Sequence, residues 1–294
     1  MRCVIRVLIL LVAAAGTIAG LSSCIEPTRA DRSGVVLRVG TFNLHYLSER
    51  VPSMAWEPRR EGVKAVLQEA AADLVAFQEV ETHVHGHVND ENIQLEYLVD
   101  EFPGYEAAAV GKPYDYPSTQ PILYDRVRLE FLEQGFFFFS ETPETIYSRS
   151  WDGGFPAFCS WVRFFDKRAE RSLLVFNVHF DSRSAGNRIK SAELVAERLE
   201  MVAELNDAVV VLGDFNGPWF FSAVQTIAEA GLFIAPPQGA TFHFNVGLDL
   251  LPAIDHVLAG RGLAPGPAEV ARKKYDRIWP SDHYPVFVDL YRRE

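Results

Sequence analysis

Short apolar runs alternate along the chain with longer segments whose apolar positions recur every three or four residues. Short runs of this kind predict buried strands, and the three-to-four spacing predicts amphipathic helices. The pattern places strands over residues 35–43, 73–80, 121–124, 136–139, 159–165, 173–180, 208–213, 254–258 and 284–290. It places helices over 57–72, 92–102, 184–205 and 219–230, the first with Val63, Val66, Leu67 and Ala70 on one face. No internal repeat, heptad pattern or low-complexity linker follows residue 34. Half-apolar strands and one-sided helices bury their apolar faces together when two mixed sheets pack face to face with helices outside, a four-layer αβ-sandwich. The expectation is one α/β (α+β) domain over residues 35–294.

The first residues do not fit that scheme. Arg2 and Arg6 precede an apolar, small-residue run from Val7 to Gly20, a signal-peptide pattern too short to span a bilayer comfortably. It ends in Leu21-Ser22-Ser23-Cys24, which resembles a bacterial lipobox, with Cys24 as the lipidated residue. The alternative is an ordinary secretory signal cleaved nearby. The reading is a signal peptide over 1–23, then a lipidated cysteine and polar tether over 24–34. It implies an extracytoplasmic protein held at a membrane surface by acyl chains. Of three cysteines, Cys3 leaves with the signal and Cys24 takes lipid, so Cys159 has no partner for an intrachain disulfide. Its apolar surroundings predict a core position rather than a reactive thiol.

Composition is that of a globular protein: 294 residues, 48% hydrophobic and 23% charged. The net charge of −11 becomes −13 once residues 1–23, with Arg2 and Arg6, are removed. An acidic chain is a poor nonspecific binder of nucleic acid, which favours basic surfaces. A carboxylate-rich site can still recruit positive charge locally as metal ions.

Candidate chemistry lies where the predicted strands end. Thr41-Phe42-Asn43, Phe77-Gln78-Glu79, Asn177-Val178-His179-Phe180-Asp181, Gly213-Asp214-Phe215-Asn216, Ile254-Asp255-His256-Val257 and Ser281-Asp282-His283 each join apolar residues to acids, amides or imidazoles. Rigid strands fix position while their exposed ends meet substrate. A hard divalent cation such as Mg2+, or Mn2+ or Ca2+, takes oxygen ligands, for which Glu79 is the best candidate, with Asn43 and Asp282 beside it. Phosphoryl transfer also needs a positioned water and charge stabilisation on phosphate oxygens. Asp214 is placed to act as base or orient the water, and Asn216 to hold the water or the phosphate. His179 and His283 are candidate donors to phosphate oxygens, with Asp255 as candidate partner of His283.

These segments, in this order, resemble the endonuclease/exonuclease/phosphatase superfamily, whose fold is called DNase I-like. Gly-Asp-Phe-Asn at 213–216 with Ser-Asp-His at 281–283 carry the likeness together, from Thr41 to Leu290. The resemblance implies a metal-dependent phosphoesterase. Asn43 and Glu79 match the metal-side residues and His179 the first catalytic histidine. Asp214 and Asn216 match the Asp-x-Asn that handles the nucleophile, Asp255 the partner of the last histidine, and Asp282-His283 the terminal pair. One bacterial branch is closer still, through Pro121-Ile122-Leu123-Tyr124, Ser140-Glu141-Thr142-Pro143, Ser150-Trp151-Asp152 and the Arg188 region, which makes Tyr124 and Arg188 candidate substrate contacts. The chain departs from that branch at Ser118-Thr119-Gln120, where a Glu is usual, and at Ala157, where an Arg is usual. It also departs from some nucleases at His45, where they carry an acid. These positions bear on substrate and on a second metal.

The substrate class stays open among nucleic acid, a phospholipid head group as in phospholipase C or sphingomyelinase, and a sugar or inositol phosphate. A non-catalytic surface-binding lipoprotein on the same fold is the reading from another class. A monomer is expected. His83, His85 and His87 form either an accessory zinc site or a solvated rim loop. Phe136 to Phe139 read as a buried strand rather than a membrane-inserting patch, and Trp219-Phe220-Phe221 as core packing at a helix start. Arg183, Lys190, Arg272, Lys273 and Lys274 read equally as phosphate contacts or solvated charges.

Overall fold

The computed structural model describes residues 34–48, 55–80, 82–84, 87–88, 91–112 and 115–293. The signal-peptide and Cys24 expectations, and the side chains of His83, His85 and His87, lie outside the described residues.

In chain order the elements are β1 (Val35–Asn43), β2 (Leu47–Ser48), α1 (Arg60–Ala70), β3 (Leu74–Gln78), β4 (Thr82–Val84), β5 (His87–Val88), α2 (Ile93–Glu101), β6 (Tyr105–Ala108) and β7 (Ile122–Asp125). They continue with β8 (Leu129–Phe138), β9 (Phe158–Asp166), β10 (Arg171–His179), α3 (Ala185–Val202), β11 (Ala208–Asp214), α4 (Ser222–Glu229), β12 (Leu232–Ala235), β13 (Asp255–Gly260), β14 (Leu263–Val270) and β15 (Val286–Arg292). Two mixed six-stranded sheets result, ordered β14-β15-β1-β3-β7-β6 and β12-β13-β11-β10-β9-β8, with a small β2-β4-β5 sheet beside them. Each large sheet holds one parallel pair at its centre, β1 with β3 and β10 with β11.

Strand side chains alternate between faces, and here the alternation sorts three apolar layers. Leu37, Val39, Leu74 and Ala76 of one sheet meet Val162, Val175, Val210 and Val257 of the other between the sheets. The opposite face of β10 and β11, with Phe176, Val178, Val209 and Val211, is covered by Val195 and Leu199 of α3 and Val224 and Ile227 of α4. Phe42, Val75 and Phe77 turn outward in the first sheet and are covered by Val63, Val66 and Leu67 of α1 and Leu98 of α2. Each fully buried Leu, Val or Phe contributes roughly 1.5–3 kcal/mol relative to exposure. Phe136 packs between the sheets while Phe137 and Phe139 face the helices, so the run of four aromatics serves both sides of one sheet.

Several expectations are corrected. β8 is ten residues long rather than a short aromatic strand. It is an edge strand, and Glu130, Phe131, Leu132 and Glu133 are exposed, so the apolar residues of its first half, broken up by two acids, follow no buried-strand pattern. The small-sheet strands β2, β4 and β5 were not expected, nor were β6, β12 and β14; these last three are also edges of the large sheets, and β14 contains Pro265 and Pro267, which an edge tolerates. Helix α4 starts at Ser222 rather than Trp219, because Phe221 is extended. Trp219, Phe220 and Phe221 are 41%, 55% and 46% exposed and pack edge-on against one another, not into the core.

Candidate active site

Register brings the candidate residues to one end of the sandwich. Asn43 ends β1 opposite Gln78 at the end of β3. His179 ends β10 opposite Asp214 at the end of β11, and Asp255, which starts antiparallel β13, also faces Asp214. β15 runs antiparallel to β1, with Val286 opposite Thr41, so Ser281-Asp282-His283 just before it reach the same end.

The period of two that sends Leu173 and Val175 between the sheets sends Asn177 and His179 there as well. The apolar core is therefore capped by a buried polar layer before the site begins. Gln78 Nε2 donates to Asn177 Oδ1 at 2.7 Å, bridging the two sheets, and Asn177 Nδ2 donates to Phe77 O at 2.8 Å and Gln120 O at 3.1 Å. Thr41 Oγ1 accepts from Gln78 Nε2 at 3.1 Å.

Above this layer Asp214 is the hub. Its Oδ2 accepts from Asn43 Nδ2 at 3.1 Å and lies 3.7 Å from His179 Nε2 and 3.8 Å from His283 Nε2. Its Oδ1 accepts from the backbone N–H of Asn216 at 2.8 Å. Asn43 Nδ2 also donates to Glu79 Oε1 at 3.1 Å, so one amide spans two carboxylates. Glu79 Oε1 stands 3.8 Å from His179 Nε2. On the far side of His283, Nδ1 meets Asp255 Oδ2 at 2.9 Å. Asn216 turns its side chain onto the Phe180 carbonyl at 2.7 Å, leaving its backbone N–H for Asp214. Asp282 lies 2.9 Å from His45 Nδ1.

Local backbone conformation makes these placements. His45, Glu79 and Asn216 all have positive φ, 60°, 56° and 47°, which turns the chain sharply at the strand ends. Gly213 has φ +143°, and a Cβ there would lie 1.9 Å from the Val178 carbonyl oxygen. Only glycine lets β11 approach β10 closely enough to set Asp214 beside His179.

Burial and neighbouring charge perturb the titrations in opposite senses. Burial, then the Asp255 charge, pushes the Asp214 carboxyl up to about 6, against the opposing pull of His283, His179 and the Asn216 N–H. Burial alone would lower His283, but Asp255, Asp214 and Asp282 outweigh it and raise the imidazole to about 10. At neutral pH the pair is therefore a carboxylate beside an imidazolium. Burial also opposes ionisation of Asp282, yet the His45 hydrogen bond and the charges of His283 and His45 hold it below its ordinary value.

Among the described residues, the acids and imidazoles whose ligand atoms all lie within 4.8 Å of one another are Asp214, Asp255 and His283, a buried group able to bind a metal. Its Nδ1–Asp255 bond is already made, which gives this trio the form of a proton-handling unit. Glu79, Asn43 and Asp282 are carboxylate and amide oxygens of the kind a hard divalent cation prefers. Four acids, Glu79, Asp214, Asp255 and Asp282, gather here with few cations, and the buried Arg59 is taken up by the carbonyls of Ala55, Leu44, His45 and Pro280. That excess of oxygen and negative charge fits a divalent ion.

Not every expected residue arrives. Tyr124 is 3% exposed and sits in the inter-sheet core, its ring against Phe164 and its hydroxyl donating to Glu106 at 2.9 Å, so it cannot meet a substrate at the site. Its place in β7 explains the error: the residue faces inward well below the strand ends. Arg188 stays close, near Gly217 and under the influence of Asp214, with Nη1 donating to Asp181 O at 2.8 Å. Asp181 is fully buried and accepts from the N–H groups of Arg183 and Ser184 at 2.8 and 2.7 Å and from Gly154, a loop-fixing role. Cys159 is buried, and burial pushes its thiol well above the ordinary range.

Sequence reasoning missed Arg59 and His256. Arg59 joins the end of β1 to Pro280, tying Asp282 to the Asn43 side of the site; its burial, against the raising pull of Asp282 and Glu79, lowers it to about 10. His256 Nε2 stands 2.8 Å from the Gly217 carbonyl beneath the Asn216 turn, and burial lowers it to about 4, so it is neutral. No local motif marks Arg59; the His256 signal was its place beside Asp255 on the opposite face of β13.

Two packed mixed sheets with an Asp, Asn and His cluster at one end define a DNase I-like hydrolase. The model of the Endonuclease/Exonuclease/phosphatase family matches residues 40–283, and the chain belongs to that family, whose members hydrolyse phosphate esters. A crystal structure of an endonuclease/exonuclease/phosphatase family protein from Bacteroides thetaiotaomicron superposes with a TM-score of 0.76 at 25% identity, over 88% of this chain and 98% of that one. The mannosyl-6-phosphatase Bt3783 of the same organism gives 0.75 at 26% identity, over 86% and 99%. Among curated proteins, an uncharacterized protein of Acanthamoeba polyphaga mimivirus is 26% identical over 166 residues, 55% of this chain, and the chain spans 59% of that relative's length.

Proposed function

We propose that the protein is a divalent-metal-dependent hydrolase of phosphate esters in which Asp214 prepares the attacking water. The observation that carries this reading is the buried Asp214 carboxylate set between Asn43, His179 and His283, with Asp255 bonded to the far nitrogen of His283. Asp214 is ionised above about pH 6 and accepts a proton from water held by it and Asn216. Asp255 keeps His283 protonated and oriented, so its Nε2–H is offered to a phosphate oxygen as charge develops. His179 reaches the same place from β10. Glu79, Asn43 and Asp282 would hold the ion, which, when bound, neutralises charge on the phosphate and the leaving oxygen.

The lipobox at Leu21-Ser22-Ser23-Cys24 supports attachment at an extracytoplasmic membrane surface.

The test is hydrolysis of bis-p-nitrophenyl phosphate and p-nitrophenyl phosphate with Mg2+, Mn2+ or Ca2+, with and without chelator. Turnover should vanish with chelator and fall by about 10²–10⁴-fold in His179→Ala, with circular dichroism unchanged. Full activity in chelator, or in the folded variant, contradicts the reading.

A further inference from the structure

A second cavity, of about 120 Å³, opens at the other end of the sandwich, where four arginines, Arg128, Arg168, Arg171 and Arg292, line it together with Val36 and Leu263. Strand direction keeps it apart from the catalytic cluster. Arg171 begins β10, which ends at His179, and Val36 lies near the start of β1, which ends at Asn43. Arg168 belongs to the turn between β9 and β10, and Arg292 ends β15. The four side chains differ in how far their charge is already met. Arg128 is buried and paired twice, Nη1 with Asp73 at 2.8 Å and Nη2 with Asp166 at 3.0 Å. Arg171 Nη2 donates to the carbonyls of Arg261 and Asn206 at 2.9 and 3.2 Å, which fixes the guanidinium without cancelling its charge. A Cβ at Gly262, where φ is +89°, would lie 2.5 Å from Arg171 Nη1. The connection between β13 and β14 therefore needs glycine to let this guanidinium pass. Among the described residues, no carboxylate stands within ion-pair distance of Arg168, Arg171 or Arg292, and Glu170 of the same turn does not line the cavity.

We propose that this cavity is an anion site, separate from the catalytic cluster, in which Arg168, Arg171 and Arg292 hold a phosphate group. Arg128 is one cation against two acids, and the three unmatched arginines leave an excess of two positive charges around the cavity. That excess is gathered in a chain whose net charge is −11. A cleft lined by one sign of charge concentrates the opposite ion and is relieved of its own repulsion when the ion binds. Guanidinium forks match the paired oxygens of phosphate, with charge-assisted hydrogen bonds stronger than neutral ones. Size limits the ligand further. A cavity of about 150 Å³ holds a benzene ring, so this one encloses a single phosphate group, and anything esterified to it extends into solvent. The ligand is thus free inorganic phosphate or the phosphate of a lipid head group, and both offer the same oxygens to the same arginines.

The experiment is calorimetric titration of the full chain, in chelator, with inorganic phosphate and separately with dihexanoyl phosphatidic acid below its micelle concentration. Wild type is compared with Arg168→Gln/Arg292→Gln and with His179→Ala, which controls for phosphate taken by the catalytic cluster. Both arginines are exposed, so the double variant should fold, with melting temperature and p-nitrophenyl phosphate turnover as in wild type. Binding should appear in wild type and in His179→Ala and weaken about 10-fold or more in the double variant, the worth of one charge-assisted hydrogen bond. Inorganic phosphate binding in this pattern, with or without the lipid, makes the free anion the ligand; the lipid alone in this pattern makes it a head group. No binding of either by wild type, binding that the double variant keeps in full, or binding that vanishes in His179→Ala overturns the proposal. Each of those results leaves the phosphoesterase reading standing, since the titration involves no turnover.

Discussion

Asp214 should make the protein less stable at the pH where it works. Its carboxyl is fully buried and raised from 3.8 to about 6, by burial first and the Asp255 charge second. A raised carboxyl pKa means that the native state binds the proton more tightly than the unfolded chain. Between about pH 4 and about pH 6 the native state carries more protons, so stability falls as pH rises through that window. About two pKa units at 1.36 kcal/mol each make the loss roughly 3 kcal/mol. Asp214→Asn carries no charge and should lack this slope. An amide also mismatches one of its neighbours, since Asn43 Nδ2 and the Asn216 N–H both donate to the carboxylate, so the variant starts with a pH-independent penalty. The readout is therefore the difference between the two proteins, not either alone. Urea unfolding in chelator, at steps from about pH 4 to about pH 7.5, should show that difference moving by roughly 3 kcal/mol in favour of the variant. Turnover of the variant should be near background throughout. A difference that stays constant across the window, or one that moves in favour of wild type, refutes the account of Asp214 as an electrostatically opposed base.

Two further outcomes follow from the same geometry. In Asp255→Asn, His283 loses its largest favourable partner. An imidazole held near 10 contributes stability that is complete below about 6.5 and lost as pH rises through about 10, so NMR should find it protonated across neutral pH in wild type and titrating well below that in the variant, with turnover down about 10²–10⁴-fold; an unchanged titration contradicts the pairing. Gly213→Ala places a Cβ 1.9 Å from the Val178 carbonyl oxygen and should cost about 3 kcal/mol or more, read as a lowered melting temperature together with lost activity; a variant as stable as wild type would remove glycine's role in setting Asp214 against His179.

What the sequence made legible divides along the sheets. All eight interior strands carry continuous or alternating apolar residues, as Leu173 to Val178 do in β10 and Ala208 to Leu212 in β11. The four edge strands of the two large sheets were missed or cut short, because one side of an edge has no neighbour and the selection for apolar residues weakens there, and the two- and three-residue strands of the small sheet were too short to show a pattern. The exposed Glu130 and Glu133 of β8 and the prolines of β14 are the cases in point. The acids, amides and histidines of the site were visible as polar residues ending apolar strands, and His179, Asp214, Asp255 and His283 converge. Tyr124 was misplaced since a motif gives no depth along a strand. Arg59 was invisible since its partners are backbone carbonyls from distant segments, and carbonyls leave no trace in sequence.

The residues that violate local rules are concentrated where the chemistry is. His45, Glu79 and Asn216 occupy left-handed backbone, Asp214 is a buried acid raised in pKa, and Gln120 Oε1 is a buried acceptor without a donor. Each is unfavourable by about 1–3 kcal/mol for the folded chain alone. They persist because the layer beneath them is over-determined: Gln78 and Asn177 lock the two sheets together, and below them lies an uninterrupted apolar interior. A bound metal ion would relieve the conflict at Asp214, by neutralising the acids around it. The buried acid at the hub of the site is thus complementary to a bound cation, as a site organised for its ligand rather than for its own stability requires.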